Sequence, residues 1–509
     1  MSHILAELEP RLRWLLPADL YAEAWLNPSR GTLSRVFEHL RTMLTILQHY
    51  VPRQVAENPP MLGQSHHEWQ TGTLMFTDLA GFTPLMEANA ANGRQGAASL
   101  LKVLNAYFAA MIEIIGKAGG NLLEFTGDAL LAQFPEGRRH NGTARALRAG
   151  LRMQRAMDRF ASIETGQGML KLGMRVGLHS GPFLTADIGT PRRMEHILLG
   201  TTVHRAKLAE GAGRVGRVCL TQAAYQNVSD QFRFEPGNPE HVLVVDDLTE
   251  EQLGEYDLLL SRRRLGNPML IDRSVEGVMR EIQRALGVIE PLASYLPMSI
   301  LNVLVENAAR RRLPPDFMRA TVLFVNVIGL AETVTHSPTG RETALIERFS
   351  RLFASINAAV EARGGVLKKV TYHLVGSDIM IYFGPPSGHS DDPARAAAAA
   401  LAIRDLVVAA DSPTPLKCKL GLSCGTAFAA EIGDPRGRRE FNVLSDTVNT
   451  AARLMGKAAD NQILLTQSVY EHISTHFDCT SVGAVALKGK GAPVPLFALC
   501  EAGPGDCIS

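Results

Sequence analysis

The sequence predicts an α+β protein built from two copies of one domain, each an antiparallel sheet with helices packed on one face. Three observations carry this reading. The segments "GTLMFTDLAGF" (72–82), "GGNLLEFTGDALLAQF" (119–134) and "KLGMRVGLHSGPFLTADIG" (171–189) return in the same order as "ATVLFVNVIGL" (320–330), "GGVLKKVTYHLVGSDIMIYF" (364–383) and "KCKLGLSCGTAFAAEIG" (417–433). The offset is 248 between Asp78 and Asn326 and 244 between Gly181 and Gly425, so whole domains are duplicated rather than short solenoid repeats. Within each copy, apolar runs of strand length alternate with stretches of helical periodicity.

Residues 1–45 read as an N-terminal helical segment, 46–275 as the first domain, 276–312 as a helical linker and 313–509 as the second domain. The lead-ins match as well, "LQHYVPRQV" (47–55) against "LASYLPMSI" (292–300). In the first domain, Leu74–Thr77 form a strand that ends on Asp78 and turns at Gly81. Residues 95–118 keep apolar side chains at helical spacing and stop at Gly119-Gly120. "LLEFTGDALLAQF" reads as two strands joined at Thr126-Gly127-Asp128, a helix follows at about 141–161, and "LGMRVGLHSG" is the next strand.

A chain of 509 residues exceeds what one growing core supports. Its 52 basic and 51 acidic side chains nearly cancel, giving a net charge of +1, so no field favours nucleic acid or an anionic membrane. No apolar stretch is expected to reach the ~18–20 residues of a membrane span, and the N-terminus does not resemble a signal peptide, so a cytoplasmic location is expected. Six scattered cysteines without CxxC spacing read as reduced thiols, and His66-His67 as a surface loop with no second half of a metal site.

Taken alone, Asp78 is explained as a helix cap and Asp128 as a turn residue. On neighbouring strand ends, however, two carboxylates form a hard oxygen pair suited to Mg²⁺ or Mn²⁺. The second copy has lost both, with Asn326 and Ser377 in their places. It carries instead "FNVLSDTVNTAARLMG" (441–456), where Asn449 and Arg453 share one helix face at i, i+4 spacing; the first copy has His204 and Leu208 there. Each copy keeps the half that the other lacks.

"FTDLAGFT", "FTGDALLAQF" and "MRVGLHSG", in this order, resemble the catalytic domain of class III nucleotidyl cyclases over most of residues 71–500, and the tandem layout is most similar to that of the animal soluble adenylyl cyclases. The resemblance implies two ferredoxin-like cyclase domains packed head to tail as a pseudo-symmetric pair within the chain. It implies a single working site at which ATP becomes 3′,5′-cyclic AMP and pyrophosphate. There Asp78 and Asp128 would hold two divalent metal ions, Mg²⁺ or Mn²⁺, with Leu79 beside them in substrate binding. Arg175 would bind the triphosphate, Lys488 the γ-phosphate and Asn449 the ribose, while Arg453 would stabilise charge on the α-phosphate. Lys369, seven residues before Gly376, would read adenine, although Lys368 is adjacent. Asn442, seven before Asn449, replaces the usual Asp or Thr, and its amide suits adenine or guanine.

The twin crevice, built from Asn326, Ser377, His204 and Leu208, is expected to be inert. The resemblance suggests a small-anion effector such as bicarbonate there, at positions that fall on Glu124 and Lys207. The chain ends at Ser509, so control is expected through the N-terminal segment, whose protein partner the sequence does not reveal, or through the twin crevice or another partner. The alternatives are a guanylate cyclase and a non-catalytic nucleotide-sensing module.

Overall fold

The computed structural model describes residues 2–137, 141–166, 168–254, 272, 274–310, 313–330, 332, 334, 340–373, 375–488 and 490–502. Four helices come first, α1 (Ser2–Leu12), α2 (Ala18–Leu26), α3 (Arg30–Tyr50) and α4 (Arg53–Glu57). The first copy runs β1 (His66–Ala80), α5 (Phe82–Ala90), α6 (Gly93–Lys117), β2 (Asn121–Thr126), β3 (Ala129–Pro135), α7 (Gly142–Ala156), β4 (Ile163–Thr165), β5 (Gly168–Leu170), β6 (Gly173–Thr190), β7 (Arg193–Leu199), α8 (Thr201–Ala212), β8 (Val218–Thr221), α9 (Gln222–Gln226), β9 (Phe234–Pro236), β10 (His241–Val244) and α10 (Glu250–Leu253). Helices α11 (Val275–Ala293) and α12 (Met298–Glu306) follow. The second copy runs β11 (Asp316–Ile328), α13 (Glu342–Glu361), β12 (Val366–His373), β13 (Gly376–Phe383), α14 (Asp392–Val408), β14 (Lys417–Gly433), β15 (Arg439–Leu444), α15 (Asp446–Lys457), β16 (Ile463–Thr466), α16 (Gln467–Ile473), β17 (Phe477–Val485) and β18 (Val494–Ala502).

The two sheets have one topology, β2-β3-β1-β6-β8-β10-β9 and β12-β13-β11-β14-β16-β18-β17. The expected antiparallel order holds except at β6/β8 and β14/β16, which are parallel. There α8 and α15 carry the chain back across the sheet, as a parallel pair requires. These two helices also occupy the face opposite the others. Along β1, Met75 and Leu79 pack with α6, whereas Leu74 and Phe76, turned the other way by the strand's period of two, pack with Val203 and Ala206 of α8. His66 and His67 open β1 rather than lie in a loop.

Helix α6 corrects one expectation. By length and composition Gly93–Lys117 is apolar enough to cross a membrane. In the fold it is an amphipathic core helix that buries Leu100, Leu104, Tyr107, Phe108, Met111 and Ile115 against the first sheet. The helices before each copy pack on each other: Phe37, Leu40 and Leu47 of α3 share a core with Ile282, Leu286 and Ile289 of α11. Arg11 grips Glu290 with two hydrogen bonds of 2.7 Å.

The copies close on each other with pseudo-twofold symmetry. The arm β6/β7 of the first packs Phe183, Leu184 and Ile188 with Phe349 and Phe353 of α13, while Phe428 and Ile432 of β14 join the core around α6. Equivalent polar contacts repeat this exchange: Gly189 N donates to Ser350 Oγ at 2.8 Å, and Gly433 N to Asn105 Oδ1 at 3.1 Å.

Candidate active site

Asp78 is half-buried near the end of β1, and the antiparallel register sets Arg175 of β6 directly opposite, so both side chains share a face and form an ion pair. Asp128 follows Gly127, whose φ of +70° makes the turn between β2 and β3. A third acid, which the sequence reading passed over, completes this half. Glu210 of α8 is only 7% exposed and puts Oε1 2.9 Å from Arg175 Nε. It gets there because Gly177 lets α8 lie against the sheet: a Cβ at that position would stand 2.0 Å from Glu210 N.

Burial, then the neighbouring Asp78 and Glu210 charges, push Asp128 up to about 7. Burial and Asp78 raise Glu210 to about 7 as well, against the opposing charges of Arg175, Lys207 and Lys488. This crowding of negative charge is what a bound cation would relieve. Among the described residues no three His, Cys, Asp or Glu side chains form a cage for an ion. Two carboxylates, completed by phosphate and water ligands, are nonetheless the usual donor set for Mg²⁺, so Asp78 and Asp128 fit the expected metals by chemistry. Leu79 turns its side chain into the core, so only its main chain can serve a substrate.

The second copy contributes α15. Ser445 caps it by accepting from Val448 N, and the strand before it ends at Leu444, whose methyl lies 3.9 Å from the position a Cβ on Gly127 would take. The turn bearing Asp128 and the start of α15 are therefore neighbours. Asn449 is exposed on this helix. Arg453 is half-buried, 3.8 Å from Asp446 of its own helix, and its buried Nη1 makes no hydrogen bond among the described residues. Asp446 also pairs with Lys490. Lys488 is exposed, and its charge acts on Glu210 across the domain boundary.

Lys369 and Lys368 diverge. Lys368 turns to Glu440 and the Phe441 carbonyl within its own domain. Lys369, 7% exposed, crosses the interface to Glu124 Oε1 at 2.7 Å and to the Phe125 carbonyl. Asn442 is 2% exposed, with its Nδ2 unpartnered among the described residues.

In the twin crevice, Asn326 donates to Asp378 at 2.8 Å, Ser377 is buried, and Leu208 is half exposed. The equivalence of Leu208 with Arg453 is fixed by packing: Gly421 approaches Met455 N as Gly177 approaches Glu210 N. Glu124, one of the two expected anion positions, is taken up by Lys369, while Lys207 acts on Glu210.

Comparison with known proteins found a family match, Adenylate and Guanylate cyclase catalytic domain, at residues 65–250 and again at 314–499. Adenylate cyclase type 10 of Oryctolagus cuniculus is 23% identical over 397 residues, which is 75% of this chain and 24% of that protein. An adenylate cyclase of Anabaena cylindrica is 26% identical over 215 residues, 40% of this chain and 41% of that protein. This chain thus spans about a quarter of the length of the type 10 relative and under half of the cyanobacterial one. Among solved structures, one titled a Class III adenylyl cyclase-like ATP-binding protein from Pseudomonas aeruginosa aligns with a TM-score of 0.50 and 13% identity, over 86% of this chain and 93% of that one. This last likeness extends across both copies of the fold.

Proposed function

Because the chain belongs to the adenylate and guanylate cyclase catalytic domain family, matched in both of its halves, we propose that it is an adenylate cyclase that converts ATP to 3′,5′-cyclic AMP and pyrophosphate at one site between the copies. The observation that carries this is the complementary loss in the repeat. Asp78, Asp128 and Arg175 stand in one copy and Asn449 and Arg453 in the other, and the Asp128 turn borders the helix that holds the latter pair.

Asp78 and Asp128 would hold two Mg²⁺ or Mn²⁺ ions, which when bound lower the pKa of the attacking 3′-hydroxyl and neutralise phosphate charge. The remaining work falls to positioning and charge. Arg453 has an unsatisfied guanidinium nitrogen to offer an α-phosphate oxygen, and its planar fork suits that anion. Arg175 and Lys488 supply positive charge for the triphosphate, and Asn449, exposed on α15, is free to orient the ribose. The Lys369 ammonium has three protons, two of them spent on Glu124 and Phe125. The third suits N1 of adenine, an acceptor, and not N1–H of guanine, a donor. Buried thiols at Cys219, Cys418 and Cys424 suit a reducing, cytoplasmic setting.

Two other readings stand beside this one. The unpartnered Nδ2 of Asn442 could donate to O6 of guanine. The other is a module that holds nucleotide without turning it over; a protein titled as ATP-binding shares the fold across both copies. Incubation of the purified chain with ATP or GTP and Mn²⁺, followed by identification of the product, separates the three. Cyclic AMP is expected, cyclic GMP formed from GTP would favour the guanylate reading, and tight ATP binding without product would favour the module. Bicarbonate gains no support from the positions of Glu124 and Lys207, and we propose no anion effector in the twin crevice.

A further inference from the structure

At the pseudo-twofold axis the same register position of the two copies faces itself, and evolution of the repeat has made it an acid on one side and a base on the other. Glu124 of β2 and Lys369 of β12 both follow a register shift in their pairing with the next strand, between Leu122 and Glu124 and between Leu367 and Lys369. Such a bulge re-aims the side chain after it. Their strand partners confirm the equivalence: Glu124 opposes Leu131, itself opposite Phe76, and Lys369 opposes Met380, itself opposite Phe324. Two residues on, Thr126 and Thr371 match as well.

We propose that Glu124 is a positioning residue which, from the first copy, aims the base-reading Lys369 of the second and thereby sets the preference for adenine over guanine. This rests on the reading above that the site takes ATP through Lys369. The Oε1 of Glu124 gathers three donors, Lys369 Nζ at 2.7 Å, Thr126 Oγ1 at 3.1 Å and Thr371 Oγ1 at 3.1 Å. The threonines come from both copies, so the carboxylate is fixed from each side of the interface before it fixes the lysine. Lys369 donates a second proton to the Phe125 carbonyl, the residue next to Glu124. A flexible four-carbon stem is thus held at its tip by two anchors in the other domain, and one donor direction remains. A buried ammonium also needs a compensating charge, and a cross-domain carboxylate supplies it only when the domains are closed. Base recognition and domain closure are then one event.

The test is steady-state kcat/KM for ATP and for GTP, with Mn²⁺, on the full chain and its Glu124→Gln, Glu124→Asp, Lys369→Met and Glu124→Gln/Lys369→Met variants, each checked for an intact thermal transition. Glu124→Gln is expected to lower kcat/KM for ATP tenfold or more, mainly through KM, and to change that for GTP less than threefold. Glu124→Asp should fall between. In the Lys369→Met background the glutamine should add less than twofold, because its effect passes through the lysine. Equal losses on both nucleotides, no loss on either, or full additivity with Lys369→Met would overturn the inference, as would a wild type that prefers GTP. Should the wild type form no cyclic product, the cyclase reading fails by itself. The inference is then read from calorimetric affinities for ATP and GTP, where Glu124→Gln must again erase the difference or the proposal falls.

Discussion

The Nε of Arg175 lies 2.9 Å from Oε1 of Glu210, so the arginine that stands opposite Asp78 across two strands is also tied to the helix covering them. Arg175 would therefore keep a partner if cations occupied Asp78 as proposed. Glu210 costs the ligand-free protein stability, because its raised value near 7 means that the fold prefers it protonated. For an acid raised in this way, stability falls as pH rises from the unfolded value through about 7 and stays low above it. Glu210→Gln does not titrate. Its stability is expected to match the wild type near pH 4 and to exceed it at pH 8 by about 3–4 kcal/mol at most, given a rise from 4.5 to about 7 at ~1.4 kcal/mol per pKa unit, and this shows as a higher thermal midpoint. Melting curves across that range, without divalent ions, check this; a gap that is constant with pH would refute it.

The acids and the arginine of α15 should fail differently. Asp78→Ala and Asp128→Ala are expected to abolish metal-dependent cyclic AMP formation. Arg453→Ala should retain ATP binding and lose about 10²-fold or more in kcat, the usual effect of deleting one donor to a transition-state oxyanion. Full activity in Arg453→Ala would show that α15 does not serve the reaction.

Bicarbonate should leave the rate unchanged. The carboxylate of Glu124 already neutralises Lys369, so that position offers an anion no attraction. Activity measured against bicarbonate at fixed pH and ionic strength is expected to be flat, and a saturable rise would refute this.

The N-terminal helices belong to the same folded body as the linker. Phe37 is fully buried in the core that α3 shares with α11, so Phe37→Ala is expected to cost ~3–5 kcal/mol, visible as a fall in the denaturant midpoint. An unchanged midpoint would mean that α3 is detached in solution.

Much of this protein was legible in its sequence because duplication makes a chain annotate itself. Asp78 against Asn326, Asp128 against Ser377 and Arg453 against Leu208 name the acid half and the arginine half without coordinates, since strand ends and i, i+4 faces follow from local periodicity. Even Glu210 left a trace, an acid where the other copy has Met455, although a helical repeat position gives no sign of which strand residue it will meet. The parallel β6/β8 pair and the placement of α8 and α15 on the opposite sheet face depended on how the crossover packs, which local pattern does not encode. The divergent paths of Lys368 and Lys369, adjacent and chemically alike, were likewise decided only in three dimensions. A bulge sends one to Glu440 in its own domain and the other to Glu124 across the interface, and a charge finds its partner through space rather than along the chain.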